Sequence, residues 1–149
     1  MATDKQQEKK NWLWPKIDDE ATALDAAKAG AVGGGLMIIG LALPIIFFHM
    51  SGEHLVYDYE TRAGLYISQG LQITVAAFLT WRVWRGKGRF ASIVLLIWII
   101  TEVSLKLLAG QLNPGWMIMW FFAIFSLVHS VRGHWKLHAI RRSQAAVEA

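Results

Sequence analysis

The chain has 149 residues, 54% hydrophobic and 17% charged, with a net charge of +4 and no cysteine. The missing cysteines exclude disulfides, thiol catalysis and thiolate metal sites. Once its apolar stretches are set aside, too little chain remains to bury a soluble core, which excludes an independent globular catalytic domain. The basic balance, with a pI near 9.6, comes without any nucleic-acid motif, and the cations stand beside apolar stretches. Membrane lipids, not nucleic acid, are the expected partners.

Residues 1–29 form a polar opening that is read as a cytoplasmic segment, its first eleven residues disordered. Asp18 is the predicted N-cap of a helix whose first turn holds Asp19 and Glu20, where acids suit the positive helix end. Ala21, Ala23, Ala26 and Ala27 carry that helix on, either into the first span or as a short interfacial helix before it.

The first span covers about 30–50 and contains no charge. A helix needs about 20 apolar residues to cross ~30 Å of hydrocarbon, and this run, following a polar segment, reads as an uncleaved anchor. Gly30, Gly33 and Gly34 open it, and Gly30 and Gly34 have the small-xxx-small spacing that lets helix backbones approach closely in lipid. Pro44 is expected to kink it. Further spans are predicted over about 64–84, 90–110 and 114–132, followed by a basic tail at 133–149. The fold class is therefore an all-α integral membrane protein, a bundle of four transmembrane helices with a short N-terminal cytoplasmic or interfacial helix, and one membrane domain at 30–132.

Charge sets the orientation. The first segment holds Lys5, Lys9, Lys10, Lys16 and Lys28; the second connection holds Arg82, Arg85, Lys87 and Arg89; the tail holds Arg132, Lys136, Arg141 and Arg142. The first connection sets Glu53, Asp58 and Glu60 against Arg62, and the third is uncharged. Cations stay inside, so both termini are expected in the cytoplasm. Trp12, Trp14, Trp81, Trp84, Trp116, Trp120 and Trp135, with Tyr57, Tyr59 and Tyr66, fall at the span ends, where amphipathic rings prefer to lie.

Ionisable groups at membrane depth are the default place to look for function. Glu102 and Lys106 stand at i,i+4 in the third span, acid first, the favourable order for a pair. At ~1.5 Å per residue they lie roughly 18 and 24 Å above the inner boundary, depths that Gln72 and Gln69 of the descending second span match. A cluster of Gln69, Gln72, Glu102 and Lys106 is expected, either as a hydrogen-bonded staple or as a transport site. His134 and His138 have a ligand spacing, with His129 about one turn earlier, but no third ligand is evident and no metal site is expected. Arg85-Gly86-Lys87-Gly88-Arg89 lacks phosphate-loop spacing and is read as a headgroup-contacting turn. No cofactor motif or catalytic constellation survives inspection.

Three segments carry a resemblance. Trp14-Pro15 with Ile17, the acidic–alanine helix and Gly30 form one; Trp81-Arg82-Val83-Trp84-Arg85 with Arg89 form the second; Val131-Arg132-Gly133 with His138 form the third. Together they resemble an uncharacterised family of small bacterial four-span inner-membrane proteins. The resemblance implies the bacterial inner membrane and four spans, and implies no activity. It also implies that Trp14, Arg132, Gly133 and His138 share one cytoplasmic surface.

The expected role is non-enzymatic. The protein would act through helix–helix contacts, as an accessory, assembly or stabilising partner of a membrane complex or as a self-associating bundle. The alternative is a small oligomeric transporter or channel with Glu102 as a proton- or cation-linked residue. An enzyme acting on lipid or quinone is the weakest reading.

Overall fold

The computed structural model describes residues 16–52, 58–110 and 114–147. Trp12, Trp14, His54 and Tyr57 lie outside them, as do the acid Glu53 and residues 111–113 of the third connection. Four helices make up the described chain: α1 (Glu20–Met50), α2 (Tyr59–Trp84), α3 (Arg89–Leu108) and α4 (Pro114–Val147). No strand occurs among the described residues.

The residue that caps α1 is Asp19, not the predicted Asp18. Only Asp19 has a hydroxyl residue three positions on that can return the bond. Its Oδ1 accepts the Thr22 N–H at 2.7 Å, and its own N–H donates to Thr22 Oγ1 at 3.2 Å, closing a capping box. Those two Thr22 groups hold the Asp19 carboxyl below its ordinary range. Its contribution is present at neutral pH and fades as pH falls through that lowered value. Of the two readings for the N-terminal helix, the continuous one is seen: α1 runs unbroken from Glu20, through Pro44, to Met50.

Asp58 caps α2 through the Thr61 N–H at 3.2 Å. Gly86, with φ +65°, turns the chain from α2 towards α3, and Gly110, with φ +66°, follows α3; both need the left-handed region that side chains resist. Pro114 opens α4, where its missing N–H is no loss.

Contacts run in opposite residue order along each adjacent pair. On α1, Gly30 meets Ser130, Gly33 meets Leu127 and Gly40 meets Trp120 of α4; Gly34 meets Thr80 of α2. α3 meets α4 at Ser92–Ser130 and again at Lys106–Trp120. Neighbours are thus antiparallel, and α1 and α4 share the most extensive interface, α2 and α3 the thinnest of the adjacent ones. Met37, Leu41, Val83, Leu95, Ile99, Trp120 and Leu127 fill the core. A second small cluster of Ile17, Ala23, Ala26 and Leu137 lies towards the chain termini. There the predicted tail is helix, and Arg141 Nε binds Glu20 Oε1 at 2.8 Å.

α1, α3 and α4 are each long and apolar enough to cross a membrane. α2 has the length, at 26 residues, but Ser68, Gln69, Gln72 and Thr74 dilute it. The outward faces are apolar: Ile67 is 71% exposed, Leu71 65%, Ile97 60% and Phe121 61%. Large contiguous apolar surface of this kind is foreign to a water-facing monomer and compatible with a membrane protein.

Candidate functional site

The glycines fix how closely the helices pack. A Cβ on Gly30 would collide with Ser130, one on Gly33 would lie 2.6 Å from the Ala123 carbonyl, and one on Gly40 2.6 Å from the Trp120 ring. All three receive α4. Gly34 receives Thr80 of α2 instead. The expected Gly30/Gly34 pair therefore serves two different neighbours. At about 100° per residue the two positions are ~40° apart, and Gly33 lies ~100° from Gly34; one glycine-rich face spans both contacts. Gly133 answers from α4. It is buried, and a Cβ there would strike the α1 backbone at Ala27, Ala26 and Ala23.

Of the surface that the resemblance implied, Gly133 is thus an interhelical contact, Arg132 is half-buried and His138 is exposed; Trp14 lies outside the described residues.

Beside Gly30 and Gly133 is a buried polar junction of three helices. Ser130 Oγ donates to the Ala27 carbonyl of α1 at 2.6 Å and lies 2.9 Å from Ser92 Oγ of α3. Ser92 Oγ also lies 3.1 Å from the Gly88 carbonyl. The His134 ring closes the group: its Nε2 accepts the Gly88 N–H at 3.3 Å, and its Nδ1 lies 2.9 Å from the Ser130 carbonyl. A carbonyl can only accept, so Nδ1 carries the proton and Nε2 is the bare nitrogen. Gly88, the N-cap of α3, has no side-chain cap bond; the histidine ties that helix end to α4. The group resembles a Ser–His pair but cannot run one. The nitrogen nearest the hydroxyls already holds a proton, the other faces a backbone N–H, and among the described residues no carboxylate orients the ring. The group's bonds join α1, α3 and α4.

The predicted polar cluster divides in two. Glu102 Oε1 and Lys106 Nζ form an ion pair at 2.9 Å, about three-quarters buried on both sides, and the Lys106 ammonium lies 5.3 Å from the Trp120 ring centroid of α4. Trp116 stacks on Trp120 at 6.3 Å. Gln69 turns the other way and gives its Nε2 proton to the Leu41 carbonyl of α1 at 2.8 Å. Pro44, lacking an N–H, leaves the neighbouring Gly40 carbonyl without a helical donor, and the amide of α2 lands one carbonyl further along, on Leu41. Gln72 is half-buried, and no hydrogen bond joins Gln69 or Gln72 to Glu102 or Lys106 among the described residues. Gln69→Leu is expected to destabilise the bundle by about 1 kcal/mol or less, the usual worth of an interhelical bond in lipid, and thermal unfolding in detergent would measure it.

The histidine pair also divides. His134 is buried and uses both nitrogens, whereas His138 is exposed. His129 is buried edge-on against Phe125 at 4.5 Å. Among the described residues no three His, Asp or Glu side chains are grouped to hold a metal ion. Ser92 and Ser130 escaped the sequence reading; the only local sign was Ser130 one turn before His134, and their partners lie on other helices.

Comparison of the chain with protein-family models, curated proteins and solved structures found no match.

Proposed function

We propose that the chain is a four-span protein of the bacterial inner membrane with both termini in the cytoplasm, akin to the small four-span proteins it resembles. It acts without catalysis, through contacts in the membrane plane, as an accessory or assembly partner of a membrane complex or as a self-associating bundle. α2 is the fourth span in this reading. Its Gln69 bond to α1 and its outward Leu65, Ile67, Leu71, Val75 and Phe78 support that placement; the alternation of basic and acidic connections supports the orientation.

The observation that carries the reading is the uneven use of the helices. Gly30, Gly33, Gly34 and Gly40 of α1 are consumed inside the bundle, while α2 buries only Ala76 and Val83 and leaves Gly64 and Gly70 with nothing within 4 Å of a Cβ position. A helix with so few buried residues, and with open space at Gly70 beside Thr74, offers what association in lipid uses. Purification from native membranes in mild detergent tests this. A discrete oligomer or a co-migrating partner is expected, lost on Gly70→Leu. A monodisperse monomer without any partner, unchanged by that substitution, would remove the reading, and proton flux in liposomes abolished by Glu102→Gln would replace it with the transporter.

A further inference from the structure

Three adjoining hollows of about 460, 660 and 400 Å³ lie where the α2–α3 turn meets the C-terminal part of α4, and all three share Arg89 and His138. Arg82, Lys87, Arg141 and Arg142 complete the charged lining, and no lining residue is acidic. Arg141 is engaged with Glu20. No carboxylate pairs with Arg82, Lys87, Arg89 or Arg142 among the described residues. Arg89 is held in place: its guanidinium lies 4.1 Å from the Trp135 ring centroid, and its Nε is buried without a hydrogen-bond partner. Lys87, Arg89 and Arg142 converge on the first hollow and Arg82 lines the third; these unpaired cations repel one another, and an anion relieves that repulsion.

The third hollow identifies the kind of anion. It leaves the charged region and continues along Phe78, Leu79, Phe90 and Val94. Phe90 is 76% exposed and Phe78 52%, on the outward faces of α2 and α3. A soluble phosphate or a nucleic acid has no use for that apolar extension. A molecule with a phosphate at one end and hydrocarbon at the other fills both halves.

We propose that this cleft is a binding site for an anionic glycerophospholipid. The phosphate sits among Arg89, Lys87 and Arg142, and an acyl chain lies against Phe78, Phe90 and Val94. Guanidinium groups suit the oxygens because they donate two parallel bonds, and basic pockets between spans are where such headgroups settle. The inference rests on the reading that α2 and α3 cross the bilayer.

The full-length protein, purified in a zwitterionic detergent, is titrated with phosphatidylglycerol, phosphatidylcholine and inorganic phosphate, and retained adducts are counted by native mass spectrometry. Phosphatidylglycerol is expected to bind at least tenfold better than phosphatidylcholine, with Arg89→Gln and Arg142→Gln each weakening it about fivefold, the usual worth of one interfacial cation. Arg142 is exposed, so its replacement leaves folding alone. Arg85→Gln removes a charge outside the cleft, where Arg85 lies over Trp81, and is expected to change the preference less than twofold. An equal loss with Arg85→Gln would overturn the site in favour of diffuse surface charge. Inorganic phosphate binding as tightly as the lipid would overturn the lipid assignment, and no preference among the lipids would overturn both. Alkaline carbonate washing of membranes tests the spanning reading separately: release of the chain defeats that reading, whereas retention without lipid preference defeats only the site.

Discussion

Gly133→Ala is expected to be among the most damaging single-methyl additions in this protein, destabilising the bundle by about 3 kcal/mol, the upper end for overpacking. The new Cβ would meet the Ala27 nitrogen, the Ala26 carbonyl carbon at 2.7 Å and the Ala23 oxygen at 2.8 Å. All three belong to the backbone of α1. A side chain can rotate away, as Thr80 opposite Gly34 can; a helix backbone yields only if the whole helix retreats. Retreat would open the seam at Gly30 and stretch the 2.6 Å bond from Ser130 to the Ala27 carbonyl. Gly35→Ala is the matched control. Nothing lies within 4 Å of a Cβ at that position, and alanine is favoured over glycine inside a helix by roughly 0.5–1 kcal/mol, so a slight stabilisation is expected. Unfolding in mixed micelles followed by circular dichroism measures both. Similar effects from the two substitutions would show that α1 and α4 do not pack as closely as described.

His134→Ala is expected to destabilise by a similar amount, about 3 kcal/mol. The ring is buried, 4% exposed, and its removal leaves a cavity together with an orphaned Gly88 N–H and a Ser130 carbonyl short of a partner. The damage should concentrate at the start of α3, because Gly88 has no side-chain cap to fall back on. His134→Gln separates the contributions. An amide oxygen near the Nε2 position can still accept the Gly88 N–H, whereas the donor at Nδ1 is lost. It should recover at least about 1 kcal/mol of the loss, and hydrogen exchange at Arg89 and Phe90 should report whether the helix end is restored. If alanine and glutamine behave alike, the ring acts by filling space and not by capping.

The helices were legible because what makes them is local. An uncharged stretch such as 30–50 declares its own length, Pro114 and Gly110 mark their own boundaries, and the capping acids stand next to the helices they start. The first cap was displaced by one residue because Asp18 and Asp19 look alike until Thr22 is seen to answer only one of them. The glycine contacts were half legible: spacing identified the face of α1 without saying that two helices share it. The polar cluster misled for a related reason. Gln69 and Lys106 match in depth, but depth fixes height along the bundle and not direction around a helix; Gln69 faces Leu41 while Lys106 faces Trp120. Ser92, Ser130 and His134 were out of reach, since their bonds join residues 38 and 42 positions apart. The resemblance placed Gly133 on a shared cytoplasmic surface, and only the crossing with α1 reveals what its missing side chain is for.

One consequence of the glycine seam concerns movement. Two helices whose main chains approach closely at Gly33 and Gly133, with Ser130 seated on Gly30 between them, cannot slide by a turn or rotate without first lifting apart, so α1 and α4 behave as a single rigid beam. The adjacent contact with least to lose is the one between α2 and α3. A change that parts α2 from α3 about Gly86 would leave the α1–α4 seam and the Gln69 bond to the α1 carbonyl untouched.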